Sequence, residues 1–208
     1  MLTRLHISLL LAIAVAVWVV VLMIRGIPVT PDLLIPYGVA VSALTALCLG
    51  FNLWCWRFVV FKGWLVHRPW IQGTWKVTLQ SSWVDPTTGQ QIGPIEGFMV
   101  VRQSFSTLSL RLLTAESSST TVSSAILKDA DGVYRVVATY RNEPSAELRG
   151  VRSEIHYGAL QLDVHGDIPD SLTGHYWTDR KTTGTLKLTD RKLVLANGFA
   201  HASSLFGT

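Results

Sequence analysis

The sequence predicts an all-β domain, an eight-stranded antiparallel up-and-down β-barrel, preceded by two transmembrane α-helices. Three observations carry this. Two long uncharged apolar runs fill the first quarter of the 208 residues. After them the pattern changes to short alternating segments separated by turn residues. No long amphipathic segment lies between those, which excludes the helical crossovers that parallel strands need. The implied division is a two-helix transmembrane hairpin over 1–61, a linker over 62–72 and a ligand-binding barrel over 73–208.

The first run, from Leu5 to Ile24, has no formal charge. Twenty residues at 1.5 Å each span about 30 Å, the thickness of a bilayer core. It is longer than the apolar core of a signal peptide, lacks an A-x-A-like site and is followed at once by a second run, so it reads as a retained helix. The second run, Leu33 to Trp56, is long enough to cross with some tilt. Thr30-Pro31 marks its start, with Pro at the first helical position, and Pro36 is placed to kink it. Arg4 precedes the first run, while Arg57, Lys62 and Arg68 follow the second. Positive charge on that side predicts a membrane protein with both termini and the barrel in the cytoplasm. Trp54, Trp56, Phe58, Phe61 and Trp64 suit the aromatic belt there.

Gly38, Ser42, Ala46 and Gly50 recur every four residues and form one stripe of small side chains. Such a stripe lets membrane helices approach closely. It packs the two helices of one chain, or helices of different chains into an oligomer. No Asp, Glu, Lys or Arg falls inside either span, so a charged ion pathway within one hairpin is not expected.

Eight strands are predicted: Thr74–Trp83, Ile95–Gln103, Thr107–Thr114, Thr120–Lys128, Val133–Arg141, Glu154–Val164, Leu172–Asp179 and Thr185–Thr189. Turn signals separate most of them, among them Asp85-Pro86-Thr87-Thr88-Gly89, Asp129-Ala130-Asp131-Gly132 and Thr183-Gly184. Leu108, Leu110 and Leu112 share one face; so do Tyr134, Val136, Ala138 and Tyr140, and Leu160, Leu162 and Val164. Eight strands enclose room for side chains or one small ligand. The tail, 193–208, shows no clear pattern.

Enzyme signatures are missing. There is no phosphate-loop, G-x-G-x-x-G, H-E-x-x-H or G-x-S-x-G motif. His156, His165 and His175 stand singly in or near strands, and Asp163 and Asp179 are candidates for a carboxylate pair only if the fold joins them. The two cysteines, Cys48 and Cys55, lie in the second apolar run, with no zinc spacing and no disulfide framework. From Lys62 onward 15 Lys and Arg face 13 Asp and Glu, a balance that excludes a long nucleic-acid track.

One stretch does carry chemistry: HYWTDRKTTGTL, from His175 to Leu186. In a strand Tyr176, Thr178 and Arg180 share a face, opposite His175, Trp177 and Asp179. A ring, a hydroxyl and a guanidinium in a row suit a nucleotide: aromatics stack on bases and Arg grips phosphate bidentately. Lys181 adds a cation at the bend. The competing reading is a core aromatic with solvated charges at a barrel rim.

Two N-terminal spans, then RPWIQGTW at Arg68–Trp75, then YWTDRKTTG at Tyr176–Gly184, together resemble the SMODS-associated two-transmembrane, β-strand-rich effectors of bacterial CBASS anti-phage defence. The resemblance covers essentially the whole chain. It implies a non-enzymatic effector without cofactor or metal. Its cytoplasmic barrel would bind a cyclic dinucleotide, its chains would oligomerise on binding, and its helices would disrupt the lipid bilayer and kill the infected cell. It implies Tyr176, Trp177, Thr178, Arg180 and Lys181 as the ligand neighbourhood. Tyr140 with Asn142, and Thr107 with Arg111, are further candidates, as are Gln103 and Ser104 at a hairpin. Two other classes remain open: a membrane-tethered lipocalin-like carrier of a small apolar ligand, and an assembly protein whose barrel binds another protein.

Overall fold

The computed structural model describes residues 4–28, 30–84, 88–149 and 154–208. It divides into two compact units, Met1–Val60 and Phe61–Thr208.

The first unit holds α1 (Arg4–Ile24) and α2 (Pro31–Leu53). Thr30 is the extended N-cap residue and Pro31 opens α2, as its fixed φ favours. The helix runs on through Pro36. The outer surface is apolar: Val17, Val20, Met23, Val39, Leu44 and Leu47 are all exposed. Ser42 and Ala46 are exposed too, and a Cβ added at Gly38 or Gly50 would meet nothing within 4 Å. Among the described residues nothing packs into the small-residue stripe. Among the described residues no helix is long and apolar enough to cross a membrane. The sequence expectation of two full spans thus reaches beyond what these residues carry.

The second unit is a closed barrel of eight strands in chain order, each antiparallel to the next: β1 (Gly73–Ser81), β2 (Ile95–Gln103), β3 (Leu108–Leu113), β4 (Ser117–Lys128), β5 (Tyr134–Pro144), β6 (His156–Val164), β7 (Leu172–Thr178) and β8 (Thr183–Lys192). β8 pairs back onto β1, from Thr74↔Lys192 to Ser81↔Gly184. Closure removes the sheet edges. The predicted up-and-down order is observed, with strand ends shifted by a few residues. The turn signal at 85–87 lies outside the described residues.

Period-two alternation sends one face of every strand inward. Trp75, Val77, Val101, Val136, Leu162 and Leu188 are fully buried there. One end of the barrel is closed by the linker. The Gln103 side chain accepts from Ile71 N–H at 2.9 Å and donates to Pro69 C=O at 2.8 Å. Trp75 Nε1 donates to Ile71 C=O at 3.0 Å, and Arg191 lies 5.2 Å from the ring centres of both Trp70 and Trp75. Partial burial among these rings lowers the Arg191 pKa, with Asp170 opposing the shift. The RPWIQGTW motif is therefore the floor of the barrel. Gly73 within it has φ +145°, and a Cβ there would come 2.5 Å from Lys192 C=O, so glycine is required.

The β3–β4 seam explains the serine-rich stretch of β4. Its strand register reduces to the single pair Leu113↔Ser118. Elsewhere hydroxyls bridge the gap: Leu110 N–H donates to Thr121 Oγ1 at 2.8 Å and Leu112 N–H to Ser119 Oγ at 3.1 Å. A bulge between Thr121 and Ser123 turns Val122 outward.

The tail that showed no pattern forms α3 (Phe199–Phe206), which packs outside the barrel. Phe98, Val100 and Leu113 on the outer wall, with Ala196 and Ala202, make a second core, and Phe206 stacks on Phe98 at 5.4 Å. At eight residues, with Ala and Ser filling half of it, the helix gives little periodicity to read.

Candidate functional site

The end of the barrel opposite the floor is open and holds a cavity of about 530 Å³. That lies in the range of small-molecule sites. Its two sides differ. Leu79, Met99, Leu112 and Leu186 make a mainly apolar side on β1, β2, β3 and β8. Strands β4 to β7 supply Ser119, Tyr140, Asn142, His156, Tyr176 and Thr178.

Two tyrosines are seated by glycines. Tyr140 and Gly158 are register partners across β5 and β6, and Tyr176 and Gly184 across β7 and β8. A Cβ at Gly158 would fall 2.5 Å from the Tyr140 ring and hydroxyl; one at Gly184, 2.5 Å from the Tyr176 ring. Each ring thus lies across a glycine and fills the space a side chain would need. Burial, then the neighbouring Tyr176, then Asp179, push the Tyr140 phenol well above its ordinary pKa. It therefore stays a neutral donor.

The bend between β7 and β8 positions the cation. Thr178 N–H donates to Thr182 C=O at 2.9 Å, and Lys181 N–H to Thr178 C=O at 3.1 Å. Lys181 adopts φ +60°, the left-handed residue that closes this type of hairpin loop. Asp179 is tied to β6: its N–H donates to Tyr157 C=O and its carboxylate accepts from Tyr157 N–H, both at 3.0 Å. With both its neighbours so held, Arg180 is placed in the cavity lining beside Thr182. The Thr178 and Thr182 hydroxyls bond each other at 2.7 Å.

The sequence candidates separate cleanly in space. Tyr176, Thr178 and Arg180 share the cavity, as the alternation requires, and Tyr140 and Asn142 join them. Trp177 is on the outer wall, stacked on His175 at 5.7 Å between ring centres, and lines a shallower outer cleft with Tyr157 and Val122. Lys181 is exposed at the bend, outside the cavity lining. Thr107 is at the floor end, hydrogen-bonded to Ser104 at 2.7 Å, and Gln103 is the floor bond described above. Arg111 is on the exposed face of β3 and reaches Asn197 C=O at 3.4 Å. Asp163 and Asp179 do not meet: Asp163 pairs with Arg135 at 3.2 Å, toward the floor end, while Asp179 anchors the mouth. Ser119 and His156 are lining residues that the sequence reading passed over. Both are inward positions of their strands, and counting in twos from Leu160 would have reached His156.

Among the described residues no cluster of His, Cys, Asp and Glu has the makings of a metal site. Among the described residues the lining offers stacking surfaces, neutral donors and acceptors, the Arg180 guanidinium and two acidic residues, Glu96 and Glu116, around a floored pocket. It suits a compact anionic ligand with flat rings.

Residues 66–190 match the sequence profile of the family described as Cap15, cyclic dinucleotide receptor domain. A relative from Staphylococcus schleiferi, CD-NTase-associated protein 15, is 28% identical over 155 residues, which are 74% of this chain and 78% of that protein.

Proposed function

This chain belongs to the Cap15 cyclic dinucleotide receptor family, and we propose that it is a non-enzymatic CBASS effector whose barrel binds a cyclic dinucleotide in the mouth cavity. The observation that carries the reading is the convergence of Tyr140, Tyr176, Thr178 and Arg180 on one floored cavity. The tyrosines offer faces to two bases, the Thr178 hydroxyl a short polar contact, and Arg180 a bidentate grip on phosphate. A closed floor takes a compact ligand rather than a strand that must pass through. Lys181 adds only long-range charge at the bend. Thr107, Arg111 and Trp177 lie elsewhere and receive no contact in this reading.

The output end is the N-terminal unit. Its uncharged runs and exposed apolar side chains favour insertion into the bacterial inner membrane, with both termini and the barrel on the cytoplasmic side. Ligand binding then drives assembly of several chains, and the assembled helices disrupt the bilayer. The unfilled stripe Gly38, Ser42, Ala46 and Gly50 is the surface on which helices of neighbouring chains meet.

Dye release from liposomes carrying the full chain tests this. Cyclic dinucleotide should trigger release by the wild type. Replacing Ser42 and Gly50 together by leucine should abolish release while leaving ligand affinity unchanged. Release that ignores the ligand would contradict the effector reading; normal release by the double variant would remove the stripe from it.

A further inference from the structure

Three polar side chains stand side by side across the mouth. Ser119 on β4 is in register with Asn142 on β5, and Asn142 with His156 on β6. All three line the cavity. Their hydrogen-bonding capacities are already partly committed. Ser119 Oγ accepts from Leu112 N–H. His156 Nδ1 is 3.0 Å from Glu154 C=O. A carbonyl can only accept, so Nδ1 carries the proton, and in the neutral ring Nε2 is an acceptor.

Asn142 differs from both. It is only 9% exposed, yet among the described residues nothing hydrogen-bonds its side-chain amide. Its amide nitrogen and oxygen are not cut off from solvent, and Asn142 lines the cavity, so a donor and an acceptor stand open to a ligand there. Its inward neighbours along β5, Tyr140 and Pro144, are largely apolar, so packing alone does not call for an amide there. The missing partner belongs in the cavity.

We propose that Asn142 is a specificity-determining residue that reads a base edge of the cyclic dinucleotide, and that the base is adenine. The assignment rests on the receptor reading above. An amide donates through Nδ2 and accepts through Oδ1. Adenine presents a ring-nitrogen acceptor beside an exocyclic amino donor, the complementary pair. His156 Nε2 supplies a second acceptor for the remaining amino hydrogen. The corresponding edge of guanine presents two acceptors, N7 and O6. One of these would face the Asn142 oxygen or the His156 lone pair, and the amide could satisfy only the other.

The test is calorimetric titration of the full chain with cyclic di-AMP, cyclic GMP–AMP and cyclic di-GMP. The wild type should favour the adenine-containing members by about tenfold, the discrimination one bidentate pair gives. Asn142→Ala should compress that ratio to about threefold or less, as the loss of most of that pair requires. Asn142→Asp keeps the shape and exchanges the donor for an acceptor. It should lose the preference as completely, and its melting temperature controls for folding. Arg180→Ala should instead weaken every member by a common factor, because a phosphate contact carries no base information. A wild type that prefers cyclic di-GMP, or an Asn142→Ala variant that keeps the ratio, overturns the assignment and leaves the receptor reading standing. A folded wild type that binds no member overturns both.

Discussion

Replacing Arg180 by alanine is expected to weaken cyclic dinucleotide binding by about 30-fold, within the range measured for hydrogen bonds to charged groups. Among the described residues Arg180 is the only Arg or Lys in the cavity lining, and the β7–β8 bend holds its place in that lining through the Asp179–Tyr157 and Thr178–Thr182 contacts. It is exposed at the rim, where solvent screens simple Coulomb attraction. The expected loss therefore comes mainly from the two directed bonds of the guanidinium fork. Arg180→Lys, which keeps the charge and loses the fork, should recover only part of the affinity. Titration of the three forms checks this. Affinity within twofold of wild type for Arg180→Ala would take the phosphate contact away from this residue.

Gly174→Ala is expected to destabilise the barrel by about 3 kcal/mol, at the upper end for overpacking a core position. In melting temperature that is about 6–12 °C for a chain of this size. Gly174 sits in the middle of β7, in register with Leu162 on one side and Leu186 on the other. A Cβ there would fall 1.9 Å from the Gln161 carbonyl oxygen and 2.8 Å from Leu162 Cα. Both are backbone atoms, so no side chain can swing away; two strands of a closed barrel must separate. Thermal melting of the barrel signal measures the shift. A change of less than about 2 °C, below what 1 kcal/mol produces, would contradict the close approach of β6 and β7 at this point.

The barrel was legible because its strands alternate. Leu108, Leu110 and Leu112, or Leu160, Leu162 and Val164, point one way with polar residues between, and that pattern fixes which face is buried before any pairing is known. The same rule put Tyr176, Thr178 and Arg180 together and Trp177 opposite. What alternation cannot supply is depth. Thr107 and Arg111 share a strand face, yet one lies at the floor and the other on the exterior beside Asn197. Position along the axis depends on strand register, and inside or outside depends on closure; both are set by distant chain segments. The floor formed by Gln103 and Ile71 was hidden for the same reason, since 32 residues separate them. Ser119, Asn142 and His156 lie on three strands and meet only through register. The β4 hydroxyls of Thr121 and Ser119 stitch the β3–β4 seam, a pairing that local alternation does not show.

The central claim is that the mouth of this barrel is a cyclic dinucleotide receptor. Its most direct test is calorimetric titration of the full chain in detergent with a panel of cyclic dinucleotides. One saturable site per chain, for at least one member, is the predicted result. A folded chain that gives no heat with any member, and instead takes up an apolar small molecule against Leu79, Met99, Leu112 and Leu186, would contradict the receptor reading in favour of a carrier.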